Sequence, residues 1–244
     1  MAHPLQLQFV KSITTSLTNN FQSRKVLEVG AYDVNGSVRQ FFPNADYLGV
    51  DLIEGPGVDL ICEGDKIPHK DSIYDISISC ECFEHNPAWA ETLTNMYRMT
   101  KTGGIVIFTC ATTGRAEHGT TRTSPESSPG TQALRWDYYK NLTEEDVNKA
   151  FNLKSLFGDH FFLVNHISCD LYFFGIKGKE SPLFSIDTRH LKELCLLDQE
   201  SLQTQLKNRM IREKFIPKAL RKTTRKLFYQ RFNNASSPRL IDNF

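Results

Sequence analysis

Long hydrophobic runs are missing from this chain. Nowhere do its 244 residues approach the ~18 consecutive apolar positions that a membrane-spanning helix needs. The segment Met1 to Val10 has no basic stretch followed by a long apolar core, so no secretory leader is read there and a cytoplasmic protein is expected. Disulfide spacing is missing too. Cys62, Cys80, Cys82, Cys110, Cys169 and Cys195 are scattered, mostly in or beside apolar strand-like runs, which predicts reduced, packed thiols. Cys80, Cys82 and His85 stand close together but lack an evident fourth ligand, so no metal is expected. An excess of one charge is absent overall, with 29 Lys and Arg against 28 Asp and Glu. The balance is uneven along the chain, however. Residues 202–244 hold 11 basic and 2 acidic residues, leaving 18 basic and 26 acidic before them, so an acidic domain carries a basic tail.

What is present reads as an alternation of strands and helices. Leu5, Phe9, Ile13 and Leu17 recur at helical spacing, and 25–29 is a strand-like run ending at Gly30. Asn35-Gly36-Ser37 opens a helix carrying Val38, Phe41 and Phe42, which Pro43-Asn44 ends before a strand over 47–51. Further strands are expected at 58–62, 74–79 and 105–110, with a helix over 89–99 that Gly103-Gly104 closes. Residues 112–131, rich in Thr, Ser, Gly and Pro, predict a long loop at the functional edge. Thr143 with Glu145 and Asp146 caps another helix, and runs at 161–167 and 170–176 lie close enough to form an antiparallel hairpin. The fold expected is α/β: a Rossmann-like sandwich with a seven-stranded, mostly parallel sheet ending in an antiparallel hairpin, followed by a helical basic tail. Residues 1–180 form the domain and 181–244 the extension.

In open α/β sheets ligands bind beyond the carboxyl ends of the strands. The first strand ends Val26-Leu27-Glu28-Val29-Gly30, with Gly36 at the following helix start; these glycines let backbone approach a ligand. The second ends in Asp51, where a carboxylate can accept from both hydroxyls of a ribose. A dinucleotide would need Gly-x-Gly-x-x-Gly to seat its pyrophosphate, but here Gly30 is followed by Ala31-Tyr32-Asp33, and the aspartate repels phosphate. S-adenosylmethionine, which has no phosphate but carries a sulfonium and an ammonium, is attracted by Glu28 and Asp33 instead.

Val26-Leu27-Glu28-Val29-Gly30, then Gly49-Val50-Asp51, then Cys62-Glu63-Gly64-Asp65-Lys66-Ile67-Pro68, then Tyr74 through His85 together resemble the class I S-adenosylmethionine-dependent methyltransferases, specifically the broad type 11 group. The resemblance runs from about Lys25 to Cys110. It implies Glu28, Gly30 and Gly36 around the methionine moiety, Asp51 on the ribose and Leu52 beside the adenine. It also implies Glu63 and Gly64 at the adenine edge, with Cys80 and Glu81 closing the pocket. The chain departs from the usual pattern in the first loop, which has Ala31 and a longer turn to Gly36 where Gly-x-Gly is common.

Methyl transfer from a sulfonium needs alignment with the acceptor and, for a hydroxyl acceptor, removal of a proton. His85 and His118 are the candidate bases. Arg115, Trp136 and Tyr138 offer a cation and flat faces for an acceptor. The segments around Thr109 to Arg115 and Trp136 to Tyr139 resemble those of bacterial methyltransferases from surface-glycan gene clusters, which implies O-methylation of a sugar or other small polar acceptor. N-methylation, or a cofactor-binding scaffold without catalysis, are the other readings. Leu206, Met210, Ile211 and Phe215, then Leu220, Leu227, Phe228 and Phe232, predict two basic amphipathic helices interrupted at Pro217. Such a tail suits an anionic membrane surface at the inner face of the membrane, or a dimer contact. Nucleic acid is disfavoured by the acidic domain and by the lack of an RNA-binding module.

Overall fold

A computed structural model describes residues 3–17 and 21–213 of the chain. Helix α1 (Pro4–Ser16) leads to strands β1 (Lys25–Val29), β2 (Asp46–Asp51), β3 (Leu60–Ile61) and β4 (Tyr74–Cys80). Helix α2 (Trp89–Met99) and strand β5 (Thr100–Ala111) follow, then helices α3 (Pro129–Ala133), α4 (Glu144–Ala150) and α5 (Leu153–Leu156). Strands β6 (Phe157–Asn165) and β7 (Asp170–Lys177) precede the long helix α6 (Thr188–Glu213). The seven strands form one sheet in the order β3-β2-β1-β4-β5-β7-β6. β1 to β5 run parallel, and β7 is antiparallel to both β5 and β6. This is the α/β Rossmann-like sheet with a terminal antiparallel hairpin that the sequence predicts.

The central strands are buried on both faces because both faces are covered, one face of β4 carrying Ile76 and Ile78 and the other Asp75, Ser77 and Ser79. Every residue of β4 is buried. One face buries Leu27, Val106 and Phe108 with Leu93 and Met96 of α2. On α1, Leu5, Phe9 and Ile13 are buried, and the Phe9 ring stacks 4.9 Å from that of Tyr172 on β7.

Several local expectations are corrected. The helix after Gly36 is a single 3-10 turn, Val38–Phe41, because Phe42 already leaves helical geometry and Asn44 turns left-handed ahead of β2. The strand at 58–62 shortens to Leu60–Ile61 at the sheet edge. Gly103-Gly104 does not close α2 but lies inside β5. The helix ends at Thr100, whose hydroxyl donates to the Met96 carbonyl and lies 2.7 Å from that of Ser77, while its backbone turns extended. The long loop expected at 112–131 holds a 3-10 turn, Pro125–Ser127, and the start of α3.

Contacts divide the chain into two units, with the boundary between Gln199 and Glu200. Helix α6 starts earlier than the tail pattern predicts. The tail residues Phe215, Pro217, Leu220, Leu227, Phe228 and Phe232 lie outside the described residues, as do the side chains of Leu206, Met210 and Ile211. No helix among the described residues is long and apolar enough to cross a membrane.

Candidate active site

β1 continues to β2 and β3 on one side, and its neighbour β4 leads to β5 on the other, so the sheet reverses direction of growth between β1 and β4. Ligands of open α/β sheets bind above such a reversal. A pocket opens there, lined by Val29, Gly30, Tyr32, Asp51, Leu52, Gly64, Glu81, Cys82, His85, Asn86, Gly130 and Trp136 among others. No Lys or Arg is among its lining residues. Its formal charges are the carboxylates of Asp51 and Glu81.

Asp51 is the anchor. Its carboxylate accepts from the Tyr32 N–H at 2.9 Å and from the Leu52 N–H at 2.7 Å, which fixes its orientation at the strand end. Burial pushes its pKa up, and the two backbone bonds pull the other way. Gly30 follows the last residue of β1 with φ of +84°, and a Cβ there would stand 2.7 Å from that of Cys82. Its conformation and the closeness of the chain after β4 both exclude a side chain. The close approach of Cys82 thus requires glycine here, at a position that also lines the pocket. Gly64 packs in the same manner, with Thr92 and Val29 where its Cβ would be.

Of the residues expected around the donor, Gly30, Asp51, Leu52, Gly64 and Glu81 line this pocket. Glu28, Gly36, Glu63 and Cys80 are not among its lining residues. Glu28 alternates with Leu27 and Val29, so it points to the opposite face of β1, where the Tyr47 hydroxyl donates to it at 2.7 Å. Burial raises its pKa to about 7. Gly36 donates its N–H to Asp33, Glu63 pairs with Lys66, and Cys80 is enclosed in β4.

A second cavity adjoins the first, with Glu81, His85 and Ser127 lining both. It is completed by His3, Asn35, Arg115, Ala116, Glu117 and His118. Glu81 stands between the two with φ of +51°, a left-handed conformation uncommon for a side-chain residue and often found where function holds it. Its carboxylate meets the Gln6 amide and, at 3.4 Å, the guanidinium of Arg115. Arg115 is committed further, to the Ser168 carbonyl and to Asp170. It therefore organises the cavity wall. Trp136 lines the first pocket, and Tyr138 lines neither.

The two candidate histidines come together. Their rings lie 4.9 Å apart edge-on, and both pack against Tyr139. His85 belongs to the 3-10 turn Phe83–His85 after β4, and burial lowers its pKa to about 3, with His118 adding to the effect. Burial also lowers that of His118. Both imidazoles are thus neutral at neutral pH, each with a lone pair available. Glu84, which sequence reasoning passed over, is wholly buried beside them, its carboxyl held well above its usual range by burial and then by Glu81. Gly130 was also missed. A Cβ there would lie 2.9 Å from Oδ1 of Asp51, and only the fold of the loop shows that α3 passes directly over the carboxylate.

Residues 27–108 match the protein-family model described as a methyltransferase domain. Over this segment, about a third of its length, the chain is similar to that methyltransferase family. The matched segment supplies the pocket floor from Val29 to Asn86, while α3, Arg115 and His118 lie beyond it. The family uses S-adenosylmethionine as methyl donor. No curated protein matches the sequence. Solved structures similar to the chain include the 1,6-didemethyltoxoflavin-N1-methyltransferase of Burkholderia thailandensis, bound to 1,6-didemethyltoxoflavin and S-adenosylhomocysteine, at 15% identity and a TM-score of 0.49 over 70% of this chain and 78% of that one. They also include phosphoethanolamine N-methyltransferase 2 of Haemonchus contortus, in complex with phosphomonomethylethanolamine and S-adenosylhomocysteine. There the identity is 13% and the TM-score 0.46 over 68% of this chain and 52% of that one. Likeness of this degree says nothing of the acceptor.

Proposed function

We propose that the chain transfers a methyl group from S-adenosylmethionine to an oxygen of a sugar or other small polar acceptor. The observation that carries the reading is a pocket at the sheet's reversal point with a strand-end carboxylate and no cationic lining residue. A phosphorylated cofactor would enter it against two carboxylates without a compensating cation, whereas a sulfonium with an ammonium group finds opposite charge. When bound, S-adenosylmethionine supplies an electrophilic methyl group. The chain's residues do the rest. Asp51 accepts from the ribose hydroxyls, using lone pairs left over from its two backbone bonds. Leu52 and Gly64 border the adenine, and Glu81 attracts the cationic end toward the second cavity. The polar walls of that cavity suit a hydroxylated acceptor, and His85 or His118 stands where it can take the hydroxyl proton.

Calorimetric titration with S-adenosylmethionine and, separately, NAD tests this. Wild-type protein should bind the former at micromolar concentration and the latter not measurably. Asp51→Ala should weaken binding about 10- to 100-fold, the loss of one or two charge-assisted hydrogen bonds. Asp51→Asn, which keeps the side chain's shape, should fall between. Preference for NAD, or unchanged affinity in both variants, would reject the assignment.

A further inference from the structure

Glu84, His85 and His118 each bring one ligand atom to within 4.8 Å of the others. Two of the three carry unsatisfied atoms. Glu84 is 0% exposed, and its Oε1 accepts from the Ala111 N–H, yet its Oε2 has no hydrogen-bond partner among the described residues. His85 is 4% exposed and its Nδ1 is likewise without one. A buried polar atom left unpaired costs about 1 to 3 kcal/mol, more for a charged group, and two neighbours in that condition ask for a shared ligand. The third member is oriented as a ligand would be. His118 Nδ1 lies 3.1 Å from the Ala116 carbonyl, which can only accept, so Nδ1 carries the proton and Nε2 keeps its lone pair. A backbone carbonyl holding the far nitrogen is the usual support of a metal-bound histidine.

We propose that Glu84, His85 and His118 bind a divalent transition-metal ion. One carboxylate and two imidazoles suit Zn²⁺, Mn²⁺ or Fe²⁺, whereas Mg²⁺ and Ca²⁺ prefer oxygen ligands throughout. Ligand atoms in a tetrahedral zinc site stand roughly 3.4 Å apart, given zinc–nitrogen bonds of ~2.1 Å. The separations of up to 4.8 Å would contract on binding, and His118, on the loop and half-buried, has the most room to move. The surroundings favour a cation: Arg115 is already paired with Glu81 and Asp170, and metal binding would displace the proton that burial keeps on Glu84. Because His85 and His118 line the second cavity, the ion's open positions face the acceptor. Its role there rests on the methyltransferase reading. With an ion held there the histidines would be ligands instead of the base assigned to them above, and the ion would supply acidification of a bound acceptor hydroxyl, whose proton would pass to water. The cluster differs from the Cys80, Cys82 and His85 group weighed from sequence, since the thiols give way to Glu84 and to a histidine from the loop after β5.

The test uses the full chain stripped with a chelator and titrated calorimetrically with Zn²⁺, Mn²⁺ and Mg²⁺, with bound metal counted by mass spectrometry. One equivalent of Zn²⁺ or Mn²⁺ should bind, Mg²⁺ at least tenfold more weakly. Glu84→Gln and His118→Ala should each weaken Zn²⁺ and Mn²⁺ at least tenfold. His118→Ala, at a half-exposed loop position, should keep the wild-type melting curve and the wild-type affinity for S-adenosylmethionine. Failure of the wild type to bind either metal, or binding unaltered by His118→Ala, overturns the site. Donor titrations on the same samples separate the two claims. Donor binding without metal removes only the ion, and metal binding without donor removes the methyltransferase reading while leaving the ion in place.

Discussion

Glu28 is part of the most legible motif in the chain and yet serves the fold more than the pocket. The run Val26 to Gly30 announces the end of a strand, and Asp51 announces the next. Which face a strand residue takes follows from alternation: Val29 lines the pocket at the sheet's reversal point, and Glu28, its neighbour in the strand, faces the other way. Its buried carboxyl is 4% exposed and has a folded pKa of about 7, raised from an ordinary value of 4.5 chiefly by burial. Between those two values the folded state holds the proton and the unfolded state releases it. Stability is therefore greatest below pH 4.5 as far as this group is concerned, falls as the pH rises to about 7, and is level above that. The loss is of the order of 3 kcal/mol. Glu28→Gln, which still accepts from Tyr47, should cancel that slope. Urea unfolding at pH 5 and pH 8 should show the variant gaining on the wild type by about 3 kcal/mol at the higher pH. An equal difference at both values would mean that Glu28 is not protonated in the fold.

Among the elements, the segment from Thr112 to Trp136 departs furthest from what the sequence tells. Its composition reads as loop, but composition does not reveal which turn bonds which. Gly119 donates to the Ser124 carbonyl, Thr121 and Arg122 hold Asp137, and Pro129 starts α3 over the donor pocket. Distances of this kind arise from contacts between sequence-remote residues, which no local pattern encodes. The consequence is sharpest at Gly130. Alanine is the better helix former by up to about 1 kcal/mol, but its Cβ would stand 2.9 Å from Asp51 Oδ1 and 3.2 Å from Leu52 Cβ, so Gly130→Ala should cost about 1 kcal/mol of stability on balance. Its methyl group would press on Asp51, and S-adenosylmethionine affinity should fall at least tenfold by calorimetry. Wild-type affinity in this variant would show that α3 swings clear of Asp51 when the donor is bound.

At the scale of the molecule, the amino-terminal helix ties the two halves of the sheet's business end together. α1 stacks Phe9 on Tyr172, brings Gln6 to Glu81, and places His3 2.7 Å from Asp170 at the start of β7. The amphipathic spacing of Leu5, Phe9 and Ile13 identified a helix, but the strand it covers depends on the sheet order, which alternation of elements alone leaves open. Phe9→Ala removes a fully buried ring and should cost about 3 to 5 kcal/mol of stability. Urea unfolding measures this directly, and a loss below 1 kcal/mol would mean that α1 is only loosely docked.

The sign of the donor pocket also bears on turnover. Asp51 and Glu81 are the formal charges among its lining residues. On the proposed reading the ligand arrives with a sulfonium and departs as a neutral thioether, so the reaction itself switches off part of the attraction that brought the donor in. Spent and fresh donor then differ in how tightly they are held, with no difference in shape required. A pocket built this way favours exchange after each round.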